Sequence, residues 1–464
     1  MERAILGERS QAMDGIPIVH LSPPAGRAWL TWNGKRLPTP LSVPPAVEIE
    51  RCGVGDNLLL HGENLAALAW LLANGYRRRI NLIYIDPPFG SGIDRARRVR
   101  LRGPGPARLI PAAEVEYCDT WDDDAYLQFM YERLIALRDL LADDGCIYLH
   151  CDFRKAHHLR CLMDEVFGAE RMLNEIIWFY PRGGDGERQF NRKHDTILLY
   201  ARGDRWTFNY DAVLIPYTRR QIARFRQEDE RGRYYWNVNP RGERVKTYLR
   251  KPGIGAYDVW TIPIDAALVR DLGYPTAKPL ALLERIIRAS SRPGDLVLDC
   301  FAGSGTTAVA AQHLERRWIA CDANPGAIQV TARRLRQAIL ERAPLSVGFS
   351  TWRIGDAVPA PQGEAGIRVL HRNEQVTVVV EAYSSSALAT LSGDPSEWRR
   401  IVDEILIDPM YDGTVFRPVI IDAPLRRSAL VRGAYTMARE AISASLALKI
   451  VDITGGEAFT IVSI

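Results

Sequence analysis

Residues 295 to 322 commit the chain to a parallel sheet. D-L-V-L-D at 295 to 299 reads as a short buried strand, and Cys300 to Thr307 (C-F-A-G-S-G-T-T) as a glycine-rich turn. A helix follows through Leu314, then a second strand, Trp318 to Cys321, that ends on Asp322. Strands joined through a helix form a crossover, and crossovers build parallel sheets covered by helices on both faces. Gly303 and Gly305 let the backbone approach a ligand closely, and the helix start offers free N–H groups. Asp322 lies about twenty residues beyond the glycines, the spacing of an acid that grips ribose hydroxyls.

The turn is not the dinucleotide pattern G-x-G-x-x-G. Asp299 beside it suits a positively charged ligand better than a pyrophosphate. S-adenosylmethionine has the matching parts: an ammonium, a sulfonium and a ribose. The residues read here for that ligand are Asp299, Gly303, Gly305 and Asp322.

A second strand end carries different chemistry. Leu82 to Ile85 is an apolar run of β-formers, followed by Asp86-Pro87-Pro88-Phe89. The prolines cannot donate ladder hydrogen bonds and lock their φ angles. A carboxylate, fixed carbonyls and an aromatic ring are thus presented at the carboxyl end of a strand, where open α/β sheets bind ligands. The amino group of a nucleobase is a poor nucleophile because its lone pair is delocalised into the ring. Asp86 and the Pro87 carbonyl would hold its two hydrogens and localise that lone pair, while Phe89 stacks on the base. An isolated D-P-P is more often a strand ending in a turn; the glycine-rich unit downstream reverses that preference.

Composition excludes little. The 464 residues predict two to three domains, and 47% hydrophobic with 25% charged residues is ordinary for a globular protein. The net charge of +4 is mild, but arginines cluster at 77–79 and again at Arg95, Arg97, Arg98, Arg100, Arg102 and Arg108. Basic clusters beside a ligand site suit a polyanion, with a solvated face as the plainer alternative for the first. The seven cysteines show no paired spacing, which argues against a disulfide framework or a zinc site. No signal peptide and no apolar run of bilayer length is read, so a cytoplasmic protein away from membranes is expected.

Five regions are expected in chain order. Residues 1–50 read as an irregular proline-rich arm, docked through Trp29, Trp32 and Lys35. Residues 51–173 hold the catalytic half, with strands at Asn57 to His61 and Cys146 to His150. Helices are read over Leu65 to Leu72, Ala125 to Leu141 and Lys155 to Phe167. Glu63 sits at a strand-to-helix corner, a ligand contact or a helix N-terminal charge. The arginine-rich stretch after Phe89 is too long for a simple connection and reads as a mobile loop closing over a polyanion. Residues 174–260 form an insert: a hairpin from Asn174 to Phe179 and Asp195 to Tyr200, then interleaved arginines and aromatics that fit nucleic-acid contact. Residues 261–344 hold the cofactor half, with a helix from Lys278 to Ser290. Residues 345–464 read as a small β-rich domain, with strands at Val376 to Val380, Val415 to Ile421, Leu446 to Ile450 and Phe459 to Val462.

D-P-P-F ahead of F-A-G-S-G-T-T resembles the β-group of amino DNA methyltransferases, in which the catalytic motif precedes the cofactor motif. T-W-N-G-K at 31–35, H-D-T-I-L-L-Y at 194–200 and G-Y-P-T-A-K-P at 273–279 extend the resemblance over most of the chain. Tyr411-Asp412-Gly413 and the run Lys449 to Ile453 resemble tails of Type III restriction-modification methylation subunits and their orphan relatives. The resemblance implies a doubly wound α/β fold of the S-adenosylmethionine-dependent methyltransferases, with permuted motif order. It implies Asp86, Pro87, Pro88 and Phe89 as the catalytic set, Phe89 standing where tyrosine is commoner. It also implies cofactor contacts from Glu63, where aspartate is usual, from Asp86 and Lys278, from the loop residues Asp299, Phe301, Ala302, Gly303, Ser304, Gly305 and Thr306, and from Asp322.

The implied reaction is methyl transfer to the N6 amino group of adenine in double-stranded DNA, with base flipping. Transfer to N4 of cytosine is the nearest rival. A non-catalytic DNA-binding specificity subunit is a rival of another class, and an RNA or protein methyltransferase a third. S-adenosyl-L-methionine is the cofactor and no metal is expected. A restriction subunit and a second copy of the chain stand as further candidate partners.

Overall fold

The computed structural model describes residues 17–27, 29–89, 95–104, 109–117, 121–181, 187–249, 252–274, 276–342, 347–360, 362–385 and 395–464, with backbone alone at 95–99 and 109–117. Ten strands form one sheet. They are β1 (Ala46–Cys52), β2 (Asn57–His61), β3 (Ile80–Ile85), β4 (Leu141–Cys151), β5 (Met172–Phe179), β6 (His194–Ala201), β7 (Val259–Thr261), β8 (Leu296–Asp299), β9 (Arg317–Asp322) and β10 (Phe349–Ile354). Across the sheet they lie in the order β7-β5-β6-β4-β3-β8-β9-β2-β10-β1. The block from β4 to β10 is parallel. β6 and β1 run against their neighbours.

Helices cover both faces: α1 (Asn64–Ala73), α2 (Asp123–Leu140) and α3 (Ala156–Phe167) on one, α4 (Leu280–Ser290), α5 (Thr306–His313) and α6 (Pro325–Arg342) on the other. β3 shows why the run Leu82 to Ile85 is apolar. Ile83 and Ile85 pack with Leu68, Met130 and Leu162, while Leu82 and Tyr84 pack with Leu283, Ile286 and Leu335 across the sheet. A strand buried on both faces has no polar side to alternate with.

The crossovers reverse between β3 and β8. β3 leads through α2 to its neighbour β4, and β8 leads through α5 to β9 on the other side. The two strands separate in opposite directions at their carboxyl ends and leave a crevice, the switch point of a doubly wound sheet.

The N-terminal arm is docked as expected. Trp32 packs edge-on against Tyr131 at 5.4 Å, and Lys35 pairs with the buried Glu165 at 2.7 Å. It is less irregular than expected: Ile18–Val19 pairs with Leu41–Ser42, and β1 starts at Ala46, inside the region read as arm. The first arginine cluster sits at the opposite end of β3 from Asp86. Arg77 pairs with Asp139 at 2.8 Å and Arg78 with Asp143 at 3.3 Å, so it fastens the body rather than serving the site. The stretch read as a mobile loop holds a two-stranded ladder, Arg95–Arg100 against Leu109–Tyr117. Arg108 and the side chains of Arg95, Arg97 and Arg98 lie outside the described residues.

The expected hairpin at 174–200 is present as β5 and β6, and it is part of the central sheet. Its connecting loop lies outside the described residues at 182–186. Between β6 and β7, Ile215–Pro216 pairs antiparallel with Gly253–Ile254 and forms a neck. Beyond the neck stands a three-stranded sheet, Gln227–Asp229, Gly232–Val238 and Arg244–Tyr248. Cations lie over its rings: Arg224 on Tyr235, Arg244 on Trp236 and Lys246 on Tyr234, at 4.7, 5.0 and 4.3 Å.

Residues 363–464 form a three-stranded and a four-stranded sheet around a shared core that includes Val378, Ile405, Tyr435 and Leu448. The run Val415 to Ile421 is not one strand as read: Phe416 makes a single bridge to Glu50 and Ile420–Asp422 pairs separately, with Pro418, which has no N–H to give a ladder, between them. A buried ionic cluster ties these sheets to the body. Arg336 of α6 bonds Glu50 of β1 and Glu404, and Lys449 reaches Glu50 at 3.1 Å and Glu457 at 2.9 Å. Burial works against charge on Glu50, but Arg336 and Lys449 together hold its carboxyl below the usual range.

Candidate active site

β3 ends because Pro87 and Pro88 cannot continue its ladder, and Asp86 emerges into the crevice. β8 ends on Asp299 one strand away, since β3 and β8 are paired. A cavity of about 650 Å³ occupies the crevice. It is lined by Asp86, Pro87, Pro88, Phe89, Glu63, Lys278, Asp299, Phe301, Ala302, Gly303, Ser304, Thr306 and Asp322. Among the residues read from the sequence, Gly305 alone does not line it. Gly305 caps α5 at φ 74°, and a Cβ there would stand 2.5 Å from the Thr331 hydroxyl.

The glycine-rich loop is held from three sides. Asp322 Oδ2 accepts from the Gly303 N–H at 2.8 Å, and its Oδ1 from Asn324 at 2.9 Å. Asp299 accepts from the Phe301 N–H at 3.0 Å and from the Thr307 hydroxyl at 2.5 Å. From below, Arg334 donates to the Ser304 carbonyl at 2.5 Å and the Thr306 hydroxyl at 3.1 Å. Burial lowers that guanidinium to about 10. Burial pushes the Asp299 carboxyl up to about 7; Asp86 and Asp322 add to the rise, while Thr307 and the Phe301 N–H oppose it. Burial raises Asp322 as well. An acid held near neutrality inside a cavity is poised to ionise when a cation arrives.

Opposite the loop stands an aromatic wall that the sequence reading missed. Phe129 lies 4.7 Å from Trp121 and 6.1 Å from Phe301, centroid to centroid, and Arg133 sits 3.4 Å over its ring. The buried Trp121 Nε1 has no hydrogen-bond partner among the described residues, an unmet donor in the cavity wall. Glu63 takes the helix-start role weighed for it and also faces the cavity. It caps α1 through the Ala66 N–H at 2.9 Å and bonds Arg133. Lys278 lines the cavity too, and its ammonium bonds Asp86 Oδ2.

Behind Asp86 lies a buried polar set, of which the sequence reading marks Asp195, within H-D-T-I-L-L-Y. The other oxygen of Asp86, Oδ1, is buried without a hydrogen bond, 3.8 Å from Nδ1 of the fully buried His150. That nitrogen is 2.8 Å from the Tyr84 hydroxyl, and Nε2 is 3.2 Å from Asp195, which also accepts from Tyr180 at 2.9 Å. Burial disfavours a charged Asp195, but the bonds from His150 and Tyr180 and the charge of Lys278 carry its carboxyl below the usual range. The signal was in the topology. His150 and Asp195 lie near the ends of β4 and β6, which follow β3 in the sheet.

Comparison with known proteins agrees with this geometry. A family described as DNA methylase, covering N6 and N4 enzymes, matches residues 80–333. Type II methyltransferase M.EcaI of Enterobacter cloacae is 29% identical over 338 residues, 62% of this chain and 71% of the relative. Type II methyltransferase M1.MboII of Moraxella bovis is 35% identical over 220 residues, 44% of this chain and 78% of the relative. DNA adenine methyltransferase YhdJ of Escherichia coli K12 is 28% identical over 291 residues, 62% of this chain and 85% of the relative. Two of these carry Type II names, and the Type III resemblance of the tail gains no support from them. With more than half its length inside the family match, the chain belongs to the N6/N4 DNA methylase family.

Proposed function

We propose that the protein methylates the N6 amino group of adenine within a specific site in duplex DNA, using S-adenosylmethionine. The observation that carries this reading is the Asp86 carboxylate at the switch point, one oxygen held by Lys278 and the other buried and unpaired, facing a glycine-rich loop across the same cavity. The residues fit the cofactor. The cavity volume is that of a small-molecule site, the acids Asp299 and Asp322 suit a cation and ribose hydroxyls, and the aromatic wall suits adenine. When bound, S-adenosylmethionine supplies an electrophilic methyl on a sulfonium, which is a good leaving group.

The chain's own residues do the rest. Asp86 Oδ1 and the Pro87 carbonyl take the two amino hydrogens of a flipped base and localise the nitrogen lone pair. Phe89 stacks on the base face. As the new N–C bond forms and the S–C bond breaks, an amino proton passes to Asp86 and then to water. Lys278 and the His150–Asp195 pair keep that carboxylate oriented, so alignment is set before the base arrives. The basic, aromatic face of Gly232–Val238 and its neighbours contacts the duplex. Aspartate at 86, rather than the serine commoner in cytosine enzymes, supports adenine, as does the similarity to the relative named an adenine methyltransferase.

The test uses tritiated S-adenosylmethionine and unmethylated genomic DNA, with the product digested to nucleosides. Label in N6-methyladenine is expected. Label in N4-methylcytosine would move the target base and keep the residues, and absence of both label and cofactor binding would make the protein a non-catalytic DNA-binding subunit. Asp86→Ala should abolish transfer and leave cofactor affinity within about threefold, since the cofactor's charged parts face other residues.

A further inference from the structure

A second cavity of about 540 Å³ lies where the segment after the catalytic motif meets the C-terminal sheets. Six arginines line it, Arg100, Arg102, Arg270, Arg333, Arg426 and Arg427, against two acids, Asp271 and Asp403. Two of the arginines are scaffold. Arg102, only 5% exposed, bonds Asp403 at 2.6 Å and the carbonyls of Pro424, Arg426 and Ala429, and Arg333 bonds the Pro424 carbonyl at 2.8 Å and lies 3.4 Å from Asp403. They consume the one well-placed acid. Asp271 is exposed beside Arg270. The guanidinium groups of Arg100 and Arg426 have no hydrogen-bond or ion-pair partner among the described residues, and Arg426 is exposed. An excess of four positive charges in a concave site concentrates anions.

We infer that this groove takes the phosphodiester backbone of the duplex beside the target base. The groove has no aromatic lining residue and so no platform for a base. It shares a rim with the catalytic cavity: Gly273 lines the groove, and Tyr274 lines the cavity. A duplex whose flipped base enters the cavity passes this rim. The C-terminal sheets supply Asp403 and Arg426, and the backbone of 102–103 is tied to them by the Arg102 N–H to the Arg400 carbonyl at 2.9 Å and the Gly103 N–H to the Arg427 carbonyl at 2.8 Å. DNA held here therefore bears on the segment that continues from Asp86-Pro87-Pro88-Phe89.

The inference rests on the DNA methyltransferase reading, and its test separates the two. The double variant Arg100→Ala, Arg426→Ala is titrated with a labelled duplex at several salt concentrations. Each lost phosphate contact should lower the salt slope by about 0.9, so two should weaken binding on the order of fiftyfold at 0.1 M salt. KM for DNA should rise, with kcat at saturating DNA and cofactor affinity unchanged. Arg426→Glu, which leaves the scaffold arginines in place, should weaken binding further than Arg426→Ala. Wild-type affinity and slope in the double variant, with methylation intact, would overturn the inference alone. Tight binding of inorganic phosphate together with an unchanged DNA slope would make the groove a small-anion site and overturn it too. A wild-type protein that binds no duplex at all would overturn the methyltransferase reading along with it.

Discussion

Asp299 should make the protein's stability and its cofactor affinity move in opposite directions with pH. In the unfolded chain this carboxyl ionises at 3.8, whereas in the folded protein burial holds it protonated to about 7. Between those values the native state binds the extra proton, so its contribution to stability falls as pH rises through the window and is flat above it. At about 1.4 kcal/mol per tenfold change in proton activity, the full penalty above pH 7 is about 4 kcal/mol, an upper figure because the buried carboxyl relaxes toward water and its hydrogen-bond donors as it ionises. A cofactor carrying positive charge reverses the balance, since it favours the ionised acid and expels the proton. The perturbation is Asp299→Asn, which keeps the shape and one acceptor for Phe301 or Thr307. Urea unfolding of the ligand-free protein from pH 5 to 8 should show the wild type losing up to about 2.7 kcal/mol relative to the variant. Calorimetry in buffers of different ionisation enthalpy should show proton release on S-adenosylmethionine binding near pH 6.5 in the wild type and none from this site in the variant, with affinity at least about tenfold weaker. Parallel pH profiles for the two proteins would refute the reasoning.

Three further outcomes follow from separate parts of the structure. Lys278→Met frees Asp86 Oδ2, and kcat should fall about a hundredfold with little change in cofactor affinity, as expected when a reacting group loses its alignment; single-turnover kinetics checks it. Gly305→Ala places a Cβ against Thr331 at a left-handed backbone position, which should cost about 1–3 kcal/mol in urea unfolding and weaken S-adenosylmethionine binding in calorimetry. Arg336→Met leaves Glu50 and Glu404 buried with a single remaining cation, and should destabilise the protein by about 3–5 kcal/mol in the same unfolding measurement.

The sequence made the site legible where one stretch carries both the fold and the chemistry. Leu82 to Ile85 could be read as a doubly buried strand because nothing polar interrupts it, and Asp86-Pro87-Pro88 could be read as its end because proline has no N–H. The cavity gathers the residues read from both motifs although some 200 residues separate Asp86 from Asp299. Other features were invisible because they are made between strands. His150 and Asp195 become a pair only when β4 and β6 are aligned; H-D-T-I-L-L-Y marks Asp195, but nothing beside His150 in sequence points to their pairing. β1 was missed because it follows Pro44-Pro45 and is only partly buried, so it lacks a continuous apolar run. The sheet at 227–248 was missed for a related reason: its strands bury few residues, and their cationic and aromatic side chains face each other rather than a core.

The neck at Ile215–Pro216 and Gly253–Ile254 has a consequence for how such a chain can change. The two ends of the segment it closes lie side by side, between β6 and β7 in chain order. Closing a loop depends only weakly on its length once the ends are fixed. Residues 217–252 are therefore a cassette. They can be lengthened, shortened or exchanged for another sequence while β3, β8 and the cavity between them keep their register.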